Sequence, residues 1–191
     1  MVSGGGTNLQ ALIDSQKEGK LGGGKLSLVI SSAAGVYALE RAREAGIKAV
    51  TIERKKYTEL SDFDSAINDV LLENKIDLVV LAGFLSVLGP AVLKTYENRI
   101  INVHPSLIPS FCGKGYYGLR VHKAVLESGV KVTGATVHFV NEVIDGGKII
   151  LQKAVDVLPD DTAETLQQRV MQEGEWLLLP KAVEMFCKRV I

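Results

Sequence analysis

The strongest constraint on this chain is an alternation of short apolar runs with amphipathic segments. Leu26-Ser27-Leu28-Val29-Ile30 is a nearly continuous apolar run, and Ala38 to Ala45 follows as an amphipathic segment stopped by Gly46. That order reads as a strand and then a helix with a glycine at its carboxyl end. Ile47 to Ile52 is the next expected strand. Ser61 opens a helix with Phe63, Ile67, Val70 and Leu71 on one side and Asp62 and Asp64 in its first turn. Asp77 to Ala82 and Arg99 to Val103 supply two further strands. Strands buried on both faces and separated by helices imply parallel pairing. Beyond residue 130 the runs lengthen and alternate: Thr133 to Val140 and Lys148 to Val157 flank Asp145-Gly146-Gly147. These are expected to pair antiparallel. A last helix is predicted from Thr162 to Lys188, with a break or kink at Pro180. The predicted fold class is α/β, a three-layer, mostly parallel sheet with helices on both faces and antiparallel strands at its C-terminal edge.

Residues 1–191 read as one domain, with no repeat, linker or low-complexity tract. One irregularity stands at the start. Only Met1 and Val2 precede the glycine loop, where a parallel fold wants a strand of ~5 residues. Either that strand is clipped or the true start lies upstream.

Composition narrows the function classes. Lys plus Arg (22) equals Asp plus Glu (22), which argues against a nucleic-acid binder. Cys112 and Cys187 form neither a metal-type pair nor a disulfide framework, and three histidines without close spacing argue against a metal site. No apolar run approaches the ~20 residues of a bilayer span. A soluble cytoplasmic protein acting on small molecules, monomeric or homodimeric, is therefore expected.

Three motifs carry chemistry. Ser3-Gly4-Gly5-Gly6-Thr7-Asn8-Leu9-Gln10 is a glycine loop that opens a helix, where bare backbone and free N–H groups suit a phosphate. It is neither a Walker loop nor a dinucleotide fingerprint, and a plain tight turn is the alternative. Asn102-Val103-His104-Pro105 ends a strand, so Asn102 and His104 project the same way at the carboxyl edge of the sheet, where ligands bind. Asn can donate to an oxyanion and His can move a proton near neutral pH. The bland alternative is a polar turn. Asp145-Gly146-Gly147 is by itself a hairpin turn, but a carboxylate near His104 would favour the imidazolium. Thr136 and His138 share one face of their strand and could support the site.

The ordered set of motifs resembles the phosphoribosylglycinamide formyltransferase family over essentially the whole chain. Ser3 to Gln10 is similar to its phosphate loop, Leu39 to Ile47 to its second helix, and Val79 to Phe84 to the strand leading to its folate pocket. Asn102 to Leu107 is similar to its signature, and Thr136 to Val140 with Asp145-Gly146-Gly147 to the segments closing its site. The resemblance implies direct transfer of a formyl group from 10-formyltetrahydrofolate, the co-substrate, to the amine of glycinamide ribonucleotide in purine synthesis, without a metal. Asn102, protonated His104 and Asp145 would be catalytic. Gly6, Thr7, Asn8, Pro105 and Glu175 would bind the ribonucleotide. Leu85, Ser86, Val87 and Leu88, with Asn102, Asn141, Glu142, Val143, Ile144 and Asp145, would bind the folate.

The chain departs from that pattern where Ser86 and Leu60 stand for arginines seen in relatives, leaving Arg54, Lys55 or Lys56 as substitutes toward the folate tail. Counting back from Pro180 favours Glu175 over Glu173 as the ribose ligand. Phe111 to Gly118 reads as an active-site loop. Among relatives of the same signature, a methionyl-tRNA formyltransferase would need an added basic domain, and a formyltetrahydrofolate hydrolase would carry an amino-terminal regulatory domain. A non-catalytic nucleotide-binding module is the competing reading from another class. It would not need Asn102, His104 and Asp145 together.

Overall fold

The computed structural model describes residues 1–191. Strand β1 (Leu28–Ser31) pairs in parallel with β2 (Lys48–Thr51), Leu28 lying opposite Lys48. Strand β3 (Val79–Leu81) pairs in parallel with β4 (Ile100–His104). β4 then pairs antiparallel with β5 (Val132–Phe139), and β5 with β6 (Ile149–Asp156). The two groups of strands are joined through residues 1–3. Val2 N–H donates to Ile30 C=O at 2.9 Å on one side, and Ala82 N–H donates to Met1 C=O at 2.9 Å on the other. The expected parallel sheet with an antiparallel edge is thus present, ordered β2, β1, residues 1–3, β3, β4, β5, β6.

Helices cover both faces because neighbouring strand residues point oppositely. Val29, Ile101 and Val103 pack with Leu9, Leu12 and Ile13 of α1 (Thr7–Lys17), with α2 (Tyr37–Glu44) and with Leu179 and Val183. Ile30, Val79 and Ile100 face the other way, onto Phe63, Ile67 and Leu71 of α3 (Leu60–Glu73) and Val92 of α4 (Pro90–Thr95). A smaller cluster sets α5 (Leu119–Ser128) and α6 (Ala163–Val170) against β5 and β6.

Two expectations need correction. The first strand starts at Leu28 rather than Leu26, because Leu26 N–H donates to the Gln16 side chain instead of to a neighbouring strand. The last helix is not continuous from 162 to 188. α6 ends at Val170, a wide π turn spans Met171–Glu175, and α7 runs Trp176–Cys187 with Pro180 inside it. Pro180 lacks the N–H that would bond back along the helix. The irregularity, though, lies one turn earlier, and it turns Glu175 inward.

No helix is long and apolar enough to cross a membrane. Asp64 is buried on α3 and accepts from the N–H groups of Gly89 and Ala91 at 2.7 Å each, and from Val92 at 3.3 Å. It therefore caps α4 from another helix and fixes the end of the segment Leu85–Leu88.

Candidate active site

A cavity of about 600 Å³ opens at the carboxyl ends of β3 and β4. Its lining brings together Asn102, His104, Pro105, His138 and Asp145 with Asn8 and Glu175, and includes the whole of Leu85–Leu88 and 141–145. Gly6, Thr7 and Thr136 are not part of that lining. Thr7 Oγ1 instead donates to Met171 Sδ at 3.7 Å. Buried Thr136 donates to Ser106 C=O at 2.7 Å and accepts from Ile108 N–H at 3.1 Å, so it secures the loop behind His104.

β4 delivers Asn102 and His104 to the same side, as strand alternation requires. Asp145 comes from the β5–β6 turn and adopts a left-handed backbone with φ 55°. Gly147 completes that turn because a Cβ there would fall 1.7 Å from Phe139 carbonyl oxygen. The Asp145 carboxylate then spans two histidines: Oδ2 lies 3.6 Å from His104 Nδ1, and Oδ1 lies 3.7 Å from His138 Nε2. His138 Nδ1 donates to Phe139 C=O at 2.8 Å, leaving Nε2 to face Asn102 Nδ2 at 3.2 Å. That contact fixes the Asn102 amide and leaves its second N–H free.

The loop at 111–118 contributes backbone groups that its composition did not announce. Phe111 C=O accepts from His104 Nε2 at 2.9 Å, and Gly113 N–H donates to Asp145 Oδ2 at 2.8 Å. Burial pushes the His104 pKa down, outweighing Asp145 and the Phe111 carbonyl, which push it up. Burial therefore works against the expected imidazolium, while Asp145 and the Phe111 carbonyl favour it. The charged ring would satisfy both facing oxygens, but at 3.6 Å the carboxylate is too far to offset desolvation. For Asp145, burial raises the pKa, yet His138, His104 and the Gly113 N–H together bring it below the ordinary carboxylate value.

At the other end of the cavity Glu175 is 6% exposed, and burial raises its pKa to about 7 against the opposing pull of the Asn8 side chain. Glu173 is exposed. Of the two carboxylates weighed from sequence, only Glu175 reaches the cavity. Asn8 Oδ1 and His122 Nδ1 are buried with no protein partner. His122, on α5, was passed over in the sequence because nothing local marks it. It is 1% exposed, lines the same cavity, and burial lowers its pKa to about 4.

The glycine loop packs as a loop built for close approach. A Cβ on Gly6 (φ 74°) would sit 2.7 Å from Ala38 Cβ, so glycine lets α2 press against the turn. Arg41 of α2 braces it, donating from Nε to Gly5 C=O at 2.9 Å and from Nη1 to Gln10 Oε1 at 2.8 Å. The first-turn N–H groups of α1 have no intrahelical acceptor and are available to an anion.

Arg54, Lys55 and Lys56 are not on the cavity lining. Arg54 donates to Tyr57 C=O at 2.6 Å, while Lys55 and Lys56 pair with Glu53 at 3.2 and 2.5 Å. The exposed Lys114 is on the lining. Leu85, Val87, Val143 and Ile144 present large apolar surface at the rim, from 47% to 64% exposed. No group of three or more His, Cys, Asp or Glu side chains is placed to hold a metal ion.

Known proteins share this sequence and architecture. The pattern of the family described as "Formyl transferase" matches residues 1–183. The trifunctional purine biosynthetic protein adenosine-3 of Gallus gallus is 46% identical over 97% of this chain, which spans 18% of that longer protein. The phosphoribosylglycinamide formyltransferase of Haemophilus influenzae is 38% identical over 97% of this chain and 84% of its own length. The crystal structure of glycinamide ribonucleotide transformylase 1 from Symbiobacterium toebii superposes with a TM-score of 0.91 at 43% identity, covering 98% of this chain and 85% of that one. With the fold and the sequence in agreement, the chain belongs to the formyl transferase family, within its phosphoribosylglycinamide formyltransferase branch.

Proposed function

We propose that this protein transfers the formyl group of 10-formyltetrahydrofolate to the amine of glycinamide ribonucleotide, a step of purine biosynthesis. The observation that carries the reading is the convergence of Asn102, His104 and Asp145 on one cavity whose far end holds Asn8 and Glu175. The first three suit acyl transfer, and the last two suit a polyhydroxylated phosphate ester. The apolar rim of Leu85, Val87, Val143 and Ile144 suits an aromatic carrier, and Lys114 is a cation for the carboxylates of its tail.

In this reading the substrate amine attacks the formyl carbon, and the carbonyl oxygen becomes an oxyanion. The free Asn102 N–H donates to it, a contribution on the order of 3 kcal/mol for one such donor. Neutral His104 accepts the proton that the amine must lose and returns it to the folate nitrogen as the old carbon–nitrogen bond breaks. Asp145 stabilises the imidazolium formed in between. Every charge in this scheme is met by a protein group, so the step as drawn calls for no metal. The phosphate rests on the N–H groups of the glycine loop, and Glu175 accepts from the ribose hydroxyls.

The test is to follow folate product by absorbance with both substrates, without the ribonucleotide, and with His104→Ala. Product that requires the ribonucleotide and collapses in the variant supports transfer. Ribonucleotide-independent product would replace the proposal with hydrolysis. Folded protein that turns over neither would leave a binding module.

A further inference from the structure

One small side chain joins the glycine loop to the segment Leu85–Leu88. Ser3 opens the loop and bonds twice to the turn that follows β3. Its N–H donates to Gly83 C=O at 3.0 Å, and its Oγ accepts from Leu85 N–H at 2.9 Å. The same Oγ lies 2.6 Å from Ser32 Oγ, just past the end of β1. With one lone pair taken by Leu85, the Ser3 hydroxyl can give its proton to Ser32 or accept one from it. The Leu85 side chain is 63% exposed, so packing does little to place this residue. Side chains pin the segment at its two ends instead. Ser3 holds Leu85 N–H, and Asp64 holds Gly89 N–H at 2.7 Å. Asp64 is buried on α3, whereas Ser3 belongs to a loop with little packing of its own. Gly4 and Gly5 are exposed, and a Cβ on either would meet nothing within 4 Å. Hydrogen bonds hold that loop, with Gly4 C=O accepting from Ala38 N–H at 3.2 Å and Gly5 C=O from Arg41 Nε at 2.9 Å.

We infer that Ser3 is a positioning residue that couples the two substrates, so that an anion on the glycine loop raises the affinity of Leu85–Leu88 for the folate. The inference rests on the proposed function, because it takes the phosphate to sit at the start of α1 and the folate against that segment. An anion accepting from the first-turn N–H groups of α1 restrains the loop. A restrained loop holds Ser3 Oγ still and, through it, Leu85 N–H. The folate then meets a segment that is already partly ordered, and less conformational entropy is lost when it binds. Linkage makes the effect reciprocal: folate raises the affinity for the anion by the same factor. Ser3 is not on the cavity lining, so its effect runs through Leu85 rather than through contact with either ligand. Ser3→Ala removes the bonds to Leu85 and Ser32 but leaves the backbone bond to Gly83, so the loop keeps its place on the sheet.

The test uses ligands that cannot react. Ribose 5-phosphate probes the glycine loop, because it lacks the glycinamide arm that reaches the folate. Tetrahydrofolate, which has no formyl group to transfer, probes the other site. Calorimetry gives the tetrahydrofolate Kd with and without saturating ribose 5-phosphate, and hydrogen exchange gives the protection of Leu85 N–H. In the parent, ribose 5-phosphate should tighten tetrahydrofolate binding at least about threefold and slow exchange at Leu85 by a similar factor. Ser3→Ala should bring both ratios to about 1. Ser3→Thr, which retains the hydroxyl, should restore both. Ratios in Ser3→Ala equal to the parent's, or a parent ratio of about 1 with both ligands bound, overturn the inference and leave the proposed function standing. A parent that binds neither ligand overturns the proposed function, and the inference with it.

Discussion

Asp145 stands 3.6 Å from His104 Nδ1, near enough to stabilise a charge on the ring and too far to hold one there. The same carboxylate reaches His138 at 3.7 Å and accepts from Gly113 N–H at 2.8 Å, so its position is fixed from three sides. In the proposed mechanism His104 gains a proton during the reaction, and this carboxylate stabilises the ring that results. Asp145→Asn removes that stabilisation while keeping the shape. The expected outcome is a kcat lower by ~10²–10⁴-fold with little change in KM for either substrate. The His104 pKa, followed by NMR titration, should fall further. An unchanged kcat would remove Asp145 from the mechanism.

Glu175→Gln separates binding from stability. Because the folded protein holds the Glu175 pKa near 7 against an unfolded value of 4.5, it binds more protons than the unfolded chain between those pH values. Stability therefore falls as pH rises through that window. The variant should be more stable than the parent at pH 8, on the order of 3 kcal/mol, with the difference vanishing near pH 4. Its KM for the ribonucleotide should rise. Urea denaturation at the two pH values, paired with steady-state kinetics, reads both effects.

His122 gives the opposite slope. Its folded pKa of about 4 lies below the ordinary 6.5, so the unfolded chain binds the extra proton in between. Stability is complete above pH 6.5 and declines on acidification toward 4. His104, whose pKa burial also lowers, adds to this loss. Replacing His122 by Gln should flatten the dependence of urea midpoint on pH over that range. A slope identical to the parent's would mean that the ring is solvated.

Asp64→Ala should destabilise the protein by roughly 2–4 kcal/mol, since three backbone N–H groups at the start of α4 lose their acceptor. The same helix start anchors Leu85–Leu88. KM for the folate should rise more than KM for the ribonucleotide. Equal effects on both would point to general loosening.

The apolar runs and their glycine stops were enough to order the strands and helices, because hydrophobic periodicity is a local property. The glycine loop and the Asn102–His104 pair were legible for the same reason, since loop chemistry and strand alternation act over a few residues. The resemblance then joined Asp145 to that pair, which spacing alone left as a hairpin turn. Tertiary structure decided what depends on burial and on distant approach. It set the downward pull of burial on the His104 pKa, which no pattern of neighbours encodes. It turned Glu175, which the spacing to Pro180 already favoured, into the cavity by widening one helical turn at Met171–Glu175. It aimed the Phe111 carbonyl and the Gly113 N–H of the expected active-site loop at His104 and Asp145, and it recruited the buried His122, whose own sequence surroundings carry no signal.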